Sequence, residues 1–106
     1  MYVIRRVYRT KPGQAKNVAT LVYKQGSAYR DAGQRSEIRV SYNGGTLPGE
    51  QDIVFLEWTD DSIQSPSREG HVLPKEALAL GAEVRKLIEH QHIEFYELLA
   101  PSQVEG

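Results

Sequence analysis

The spacing of apolar positions changes along the chain, and these changes predict the order of its elements. Residues 2–8, "YVIRRVY", are rich in β-branched and aromatic side chains, which is typical of a strand, and a turn signal with Pro12 and Gly13 follows. Beyond it, small and apolar residues recur three or four apart, as on one face of an amphipathic helix that Gly33 would end. The chain is therefore predicted to open with a strand and a helix. The helix stripe consists of Ala15, Val18, Ala19, Val22, Gly26 and Tyr29.

The middle of the chain predicts a hairpin. Residues 35–42 alternate polar with apolar side chains, and residues 52–58, "DIVFLEW", give the strongest strand signal in the sequence. The segment between them contains Asn-Gly-Gly and Pro-Gly, which are typical of a hairpin loop longer than two residues. These two segments are therefore predicted to pair as neighbouring strands.

The second crossover is less regular than the first. Asp60 and Asp61 suit the cap of a short helical turn, but Pro66 would break it, and a helix is predicted to restart at Pro74. The last predicted strand is "HIEFYELL", residues 92–99. The apolar stripe of this second helix consists of Ala77, Leu80, Gly81, Val84, Leu87 and Ile88.

The order strand, helix, strand, strand, helix, strand is the split βαβ pattern of ferredoxin-like folds, which belong to the α+β class. Such a fold has a four-stranded antiparallel sheet with two helices on one face. The third and fourth strands carry apolar residues at both parities, for example Phe55 and Leu56. We therefore expect the second face to pack against another copy in a symmetric homodimer, forming an α/β barrel. The charged residues predicted to pair across strands or between subunits are Arg5, Arg39, Glu57 and Glu97.

Composition narrows the choice of partners. A length of 106 residues suits one domain, with a folded core at 2–99 and a polar tail at 100–106. Thirteen Lys and Arg balance fourteen Asp and Glu, so no overall field attracts nucleic acid or an acidic membrane. The chain has no cysteine, which excludes disulfides, thiolate nucleophiles and thiolate metal sites. Early charge at Arg5 and the lack of a long apolar run favour a cytoplasmic protein.

Four segments carry a resemblance to a known group. The opening "MYVIRRVYR", the helix start "KPG", the strand end "LEWTD" and the closing "FYELL" resemble the dimeric α/β-barrel superfamily over residues 2–99. Its NIPSNAP-like and antibiotic-biosynthesis-monooxygenase-like members are the nearest in pattern, and haem-degrading monooxygenases and muconolactone isomerases also belong to it. The resemblance implies a pocket between sheet and helices in each subunit. Members that have an activity often convert an aromatic or polyketide-like molecule, or haem, in this pocket.

The resemblance also bears on cofactors. The haem-degrading members need an asparagine early in the first strand, where this chain has Val3, Ile4 and Arg5. Haem degradation is therefore disfavoured. We expect a protein that uses no cofactor.

Five residues are candidates for a pocket. Trp58 stands near the end of the third strand, where some monooxygenases of this type carry an aromatic pocket residue, although it equally suits a core or interface anchor. His71 lies in the following crossover, where several members place a histidine, and is the candidate catalytic acid or base; its alternative is a solvated surface residue. Tyr8, Tyr42 and Tyr96 would orient a substrate with their hydroxyls, or simply pack on half-buried strands.

A pair of histidines flanks one glutamine where the pattern changes from helix to strand. In extended backbone His90 and His92 share a parity and would reach one cation, and Glu94 continues that parity. A metal site needs further ligands and a supporting shell, whereas histidine near a helix C-terminus is favoured by the helix dipole. A corner is therefore predicted in preference to a metal site, and His92 is kept as a candidate substrate-binding residue.

Three functions remain open. The first is a monooxygenase or isomerase in which an apolar cavity desolvates a substrate with an acidic C–H bond, and His71 or a tyrosine moves the proton. The second is a ligand-binding or structural dimer without chemistry. The third is an RNA-binding sheet, which is disfavoured because "DIVFLEW" lacks the basic-Gly-aromatic run of such sheets. Only the resemblance ranks the first above the second.

Overall fold

The computed structural model describes residues 1–63 and 74–105. The chain folds into a four-stranded antiparallel sheet and two helices. The elements are β1 (Tyr2–Thr10), α1 (Ala15–Asp31), β2 (Arg39–Asn43), β3 (Ile53–Asp60), α2 (Lys75–Leu87) and β4 (Ile88–Glu97). A short 3₁₀ helix, Pro101–Gln103, follows the last strand. The spatial order of the strands is β2-β3-β1-β4, as in ferredoxin-like folds, and the predicted fold class is confirmed.

The central strand β1 divides its side chains between two different surroundings. Ile4 and Tyr8 lie opposite Trp58 and Val54 of β3, and all four are buried in the cluster that also contains the first four residues of the α1 stripe, from Ala15 to Val22. We call this side of the sheet the helix face. The other side, the open face, has no helix on it among the described residues. It consists of alternate residues of the four strands, including Val3, Arg5, Val7, Ser41, Phe55, Glu57, His92, Glu94 and Tyr96.

The helix α1 packs through the predicted stripe, all of whose residues are buried. Gly26 allows the closest approach, because a Cβ there would lie 2.8 Å from Ile38 Cδ1 and 3.2 Å from Leu56 Cδ1. Fully buried side chains such as Leu56 and Val22 each contribute roughly 1.5 to 3 kcal/mol to folding. In the part of the chain that the structure describes, no helix combines the length and apolarity needed to cross a bilayer.

The corner between α2 and β4 lies earlier than predicted. The strand starts at Ile88, directly after the helix, and the backbone N–H of Lys11 donates to the carbonyl oxygen of Leu87 at 2.9 Å. The prediction that His90 and His92 form the corner is therefore wrong, since both lie within the strand. The sequence obscured this boundary because Ile88 continues the helical spacing of the apolar stripe while it already pairs with Thr10 of β1.

Candidate functional site

A cavity of about 130 Å³ lies between the helix face of the sheet and the two helices. This is the position that the resemblance implied for a pocket. Arginine, tyrosine and glutamine side chains make up much of its lining, which is unusual for the space between a sheet and its helices. The lining residues are Arg6, Tyr8, Leu56 and Gln91 from the sheet, Gln25 and Tyr29 from α1, Gly81, Val84 and Arg85 from α2, and Arg35.

Small residues on α2 leave room for this cavity. Gly81 has no side chain, and a Cβ built on it would meet only the amide nitrogen of Gln25 at 3.1 Å and the guanidinium of Arg85 at 3.6 Å. Gln25 in turn donates through Nε2 to the carbonyl oxygen of Ala77 at 3.3 Å, which ties α1 to α2 beside the cavity. The helices are therefore held together around the space by a polar contact.

Arg6 is the functional candidate that the sequence interpretation missed. It occupies the helix-face parity of β1, between Ile4 and Tyr8, and pairs in register with Leu56 and Ile93. A charged residue at the inward parity of a central strand is rare unless it has a partner or a ligand. The signal was present in "YVIRRVY", because once Ile4 and Tyr8 point inwards, Arg6 must do so as well.

Tyr8 places a neutral phenol in the cavity. Its side chain is only 3% exposed. Burial raises the pKa of its hydroxyl above the ordinary value of 10.0, and the nearby positive charges of Arg6 and Arg35 oppose this rise without cancelling it. The hydroxyl therefore keeps its proton at neutral pH and is available as a hydrogen-bond donor.

Arg35 is positioned by the end of α1 and by two aromatic rings. Gly33 takes the left-handed conformation at φ +74°, and the backbone N–H of Gln34 donates to the carbonyl oxygen of Tyr29 at 3.0 Å. This turn ends the helix and reverses the direction of the chain. The guanidinium of Arg35 then lies 4.1 Å from the ring centroid of Tyr29 and 4.0 Å from that of Trp58. These cation–π contacts fix the guanidinium at the cavity wall.

Arginines are the charged side chains that line the described part of the cavity. Three arginines line it, and no aspartate or glutamate does so among the residues that the structure describes. Arg6 and Arg85 form no ion pair with any side chain in residues 1–63 or 74–105. The arrangement is suited to holding a negatively charged or strongly polar oxygen.

The sequence-predicted pocket residues do not lie together. Tyr8 lines the cavity, and Trp58 borders it through Arg35. Tyr42 is exposed in a groove between α1 and β2, whereas His92 and Tyr96 lie on the open face. The candidate catalytic His71 lies outside the described residues.

The histidine pair faces away from the cavity. The rings of His90 and His92 are 5.6 Å apart, and His92 Nε2 lies 3.1 Å from a carboxylate oxygen of Glu94. Within residues 1–63 and 74–105, no group of three or more histidine, aspartate or glutamate side chains is arranged to hold a metal ion.

Arginines on the open face are paired with carboxylates. Glu57 accepts hydrogen bonds from Arg5 at 2.8 Å and from Arg39 at 3.0 Å, and a second carboxylate, Glu94, lies 4.0 Å from Arg5. The predicted cross-strand pairing of Arg5, Arg39 and Glu57 is confirmed. Desolvation raises the pKa of Glu57, but the hydrogen bonds from Arg39 and Arg5 outweigh it, and the net pKa lies below its ordinary value.

The open face is less apolar than its sequence suggested. Val7 and Ile53 are only 3% and 5% exposed within one chain. The side chain of Arg5 covers Phe55, since its guanidinium lies 5.0 Å from the centroid of the Phe55 ring. Part of the apolar surface of the open face is therefore already covered within one chain, while Tyr96 and Leu98 stay about half exposed. Parity alone could not show this, because long arginine side chains cover their apolar neighbours. Glu97 lies opposite Tyr2, and its pairing with a charge of a second subunit stays a prediction.

Several solved structures are similar to this chain. An uncharacterized NIPSNAP domain protein from Burkholderia xenovorans superposes with a TM-score of 0.70 at 20% identity, over 95% of this chain and 97% of that one. A protein from Chloroflexus aurantiacus, provisionally described as an antibiotic biosynthesis monooxygenase, has a TM-score of 0.60 at 15% identity, over 93% and 95% of the two chains. The chain shares their fold.

A third similar structure is a dimeric protein of unknown function and ferredoxin-like fold from Bacteroides fragilis. Its TM-score is 0.60 at 16% identity, over 92% of this chain and 96% of that one. No family model matches the chain, and no curated protein matches it. The predicted resemblance to NIPSNAP-like and monooxygenase-like proteins is confirmed for the fold, and at these identities it concerns the fold alone.

Proposed function

We propose that this protein binds a small organic molecule in the cavity beneath its helices. The observation that carries the proposal is the polar cavity itself. A fold of this size would gain stability by closing the space with apolar side chains, yet Arg6, Tyr8 and Gly81 keep it open and polar. Concave sites with an apolar wall and a few convergent polar groups are typical of ligand pockets.

The size of the cavity limits the ligand. Its volume of about 130 Å³ is close to the roughly 150 Å³ of an engineered apolar cavity that holds benzene. A single ring or a short branched chain fits this volume. We therefore narrow the aromatic or polyketide-like substrate expected from the resemblance to a one-ring compound.

A cavity-filling variant tests the binding proposal. We expect Gly81→Leu to abolish the binding of one-ring compounds in calorimetric titrations, because the new side chain enters the cavity between α1 and α2. The matched control is Ala79→Leu, which adds the same side chain at an exposed position of the same helix. Retained binding in Gly81→Leu, or equal loss in Ala79→Leu, would contradict the proposed location. If Gly81→Leu does not fold, Val84→Phe fills the same space from the next turn.

A cofactor-independent monooxygenase or isomerase is the second candidate function. The observation that favours it is the neutral hydroxyl of Tyr8 close to the positive charges of Arg6 and Arg35, since such donors stabilise an enolate formed by removal of an acidic C–H proton. His71 is the proposed base. A one-ring β-dicarbonyl compound should then exchange its acidic proton for deuterium faster with the protein than in buffer. An exchange rate unchanged by His71→Ala would remove His71 from this role, and no acceleration at all would leave binding without catalysis.

We further propose that two copies associate through their open faces in the cytoplasm. The Bacteroides fragilis neighbour is described as dimeric. A surface depression of about 440 Å³ at one end of the open face is lined by Val3, Thr59 and Leu98 among others, and Leu98 is 49% exposed, which suits a contact with a second copy. The ion pairs of Glu57 are satisfied within each chain, so association would not leave these charges without partners.

A further inference from the structure

We infer that the ligand of the cavity is a one-ring organic acid whose carboxylate is held by Arg6 and Arg85. This inference rests on the proposed binding function and adds the chemical class of the ligand. Four other arginines are paired with carboxylates in the part of the chain that the structure describes: Arg5, Arg9, Arg30 and Arg39.

Arg6 and Arg85 depart from this pattern. Both line the cavity from opposite sides, Arg6 from the central strand and Arg85 from α2, and neither forms an ion pair with the described residues. Arg6 is partly buried at the helix face, where a cation without a counter-charge is costly. A bound carboxylate would supply that counter-charge, and the guanidinium fork matches its two oxygens.

Neutral groups beside the arginines complete the fit. The hydroxyl of Tyr8 keeps its proton, as its raised pKa requires, and donates to an anionic oxygen. Gln91 lies in the same wall as a further amide donor. No acidic side chain lines the described part of the cavity, so nothing there repels an anion.

The remaining wall selects for an organic acid over an inorganic anion. Leu56 and Val84 are buried apolar residues in the lining, and the ring of Tyr29 lies beside them. A phosphate ion would satisfy the arginines but would leave these surfaces in contact with nothing apolar. A ring that carries one carboxylate uses both parts of the cavity.

Calorimetry with three probes tests the inference on the full chain at low ionic strength. The probes are benzoate, benzamide, which has the same ring and a similar size without the charge, and inorganic phosphate. We expect benzoate to bind about tenfold or more tightly than either of the other two. Arg6→Gln should weaken benzoate binding by at least about tenfold. The control Arg9→Gln removes the same charge from an exposed pair with Glu50 and should change it by less than about twofold.

The possible outcomes distinguish a wrong ligand class from a wrong binding function. Equal binding of benzamide would overturn the acid class and leave the binding function standing. Tight phosphate binding would also overturn it, in favour of an inorganic anion site. Binding of neither ring compound would overturn both the class and the function. If Arg6→Gln does not fold by circular dichroism, Arg85→Gln serves as the test, and an unchanged benzoate affinity in that variant would overturn the inference.

Discussion

Arg5 and Arg6 are neighbours in the sequence and have opposite surroundings. On the open face, Arg5 donates to Glu57 at 2.8 Å, approaches Glu94 and covers Phe55. On the helix face, Arg6 borders a cavity that no described carboxylate lines. The same side chain is thus part of the scaffold at one position and a candidate ligand contact at the next. A carboxylate partner among the described residues distinguishes the two roles.

The largest expected effect concerns the open face as an interface. Leu98→Asp should convert the proposed dimer to a monomer in sedimentation velocity at micromolar concentration, because a buried, unpaired carboxylate costs several kcal/mol. Leu78→Asp is the matched control on the exposed side of α2, since the two leucines are 49% and 52% exposed. We expect it to leave the dimer intact. A wild-type protein that sediments as a monomer would remove the interface from the account.

The two adjacent arginines should differ in their effect on stability. Arg5→Gln should lower the free energy of unfolding by about 1 to 3 kcal/mol, because Glu57 loses a charged partner in a half-buried setting. Arg6→Gln, without ligand, should be neutral or stabilising by up to about 1 kcal/mol, since it removes a cation with no described counter-ion. Urea unfolding measures both. Equal losses would mean that Arg6 is a structural residue like Arg5.

The two helical glycines that face inwards should also differ. Gly26→Ala should destabilise by about 1 to 2 kcal/mol despite its better helix propensity, because Ile38 and Leu56 occupy the space of the new methyl group. Gly81→Ala should be neutral or stabilising by about 0.5 to 1 kcal/mol, since only the end of the Gln25 side chain must move, by a few tenths of an ångström. Thermal unfolding distinguishes these outcomes, and a large loss in Gly81→Ala would argue against an open space beside it.

The smallest expected effects lie at the extremes of pH, one for each face. Glu57 has a folded-state pKa below its ordinary value of 4.5, so its stabilising contribution is present above that value and is lost as the pH falls through the lowered pKa. Tyr8 has a raised pKa, so its contribution is complete below 10 and is lost as the pH rises through the raised value. Unfolding curves should therefore show a weaker acid dependence in Glu57→Gln and a weaker alkaline dependence in Tyr8→Phe. Unchanged dependence in either variant would contradict the corresponding assignment.

The fold could be predicted from the sequence because its signals are local and repeated. The stripe of α1 contains six small or apolar residues at helical spacing, and all six are buried. The boundary between α2 and β4 was not predicted at Ile88, because Ile88 fits the apolar spacing of the helix and also begins the strand. Where a strand begins depends on the strand with which it pairs. The residue that pairs with Ile88 is Thr10 of β1, which is 78 residues away in the sequence.

The cavity was harder to predict than the fold. Tyr8 is predicted from its hydroxyl and does line the cavity, whereas Arg6 gives no such signal, since charged residues are mostly exposed. Trp58 suited either a ligand contact or a core anchor, and it lies in the buried core. Its contact with the cavity through Arg35 depends on the turn at Gly33, which brings a distant residue back to the sheet. Contacts of that kind follow from three-dimensional packing and leave no periodic signal in the sequence.

Mapping benzoate by two-dimensional ¹H–¹⁵N NMR tests most directly whether Arg6 and Arg85, and not the paired arginines of the open face, bind the ligand. We expect the largest chemical-shift changes at the backbone amides of Gly81, Arg85 and Gln91 around the cavity. The amides of Arg39 and Ser41 on the open face should change little. Largest shifts around Arg39 and Glu57 would show that the anion binds the paired arginines, which would contradict the division of roles between the two faces.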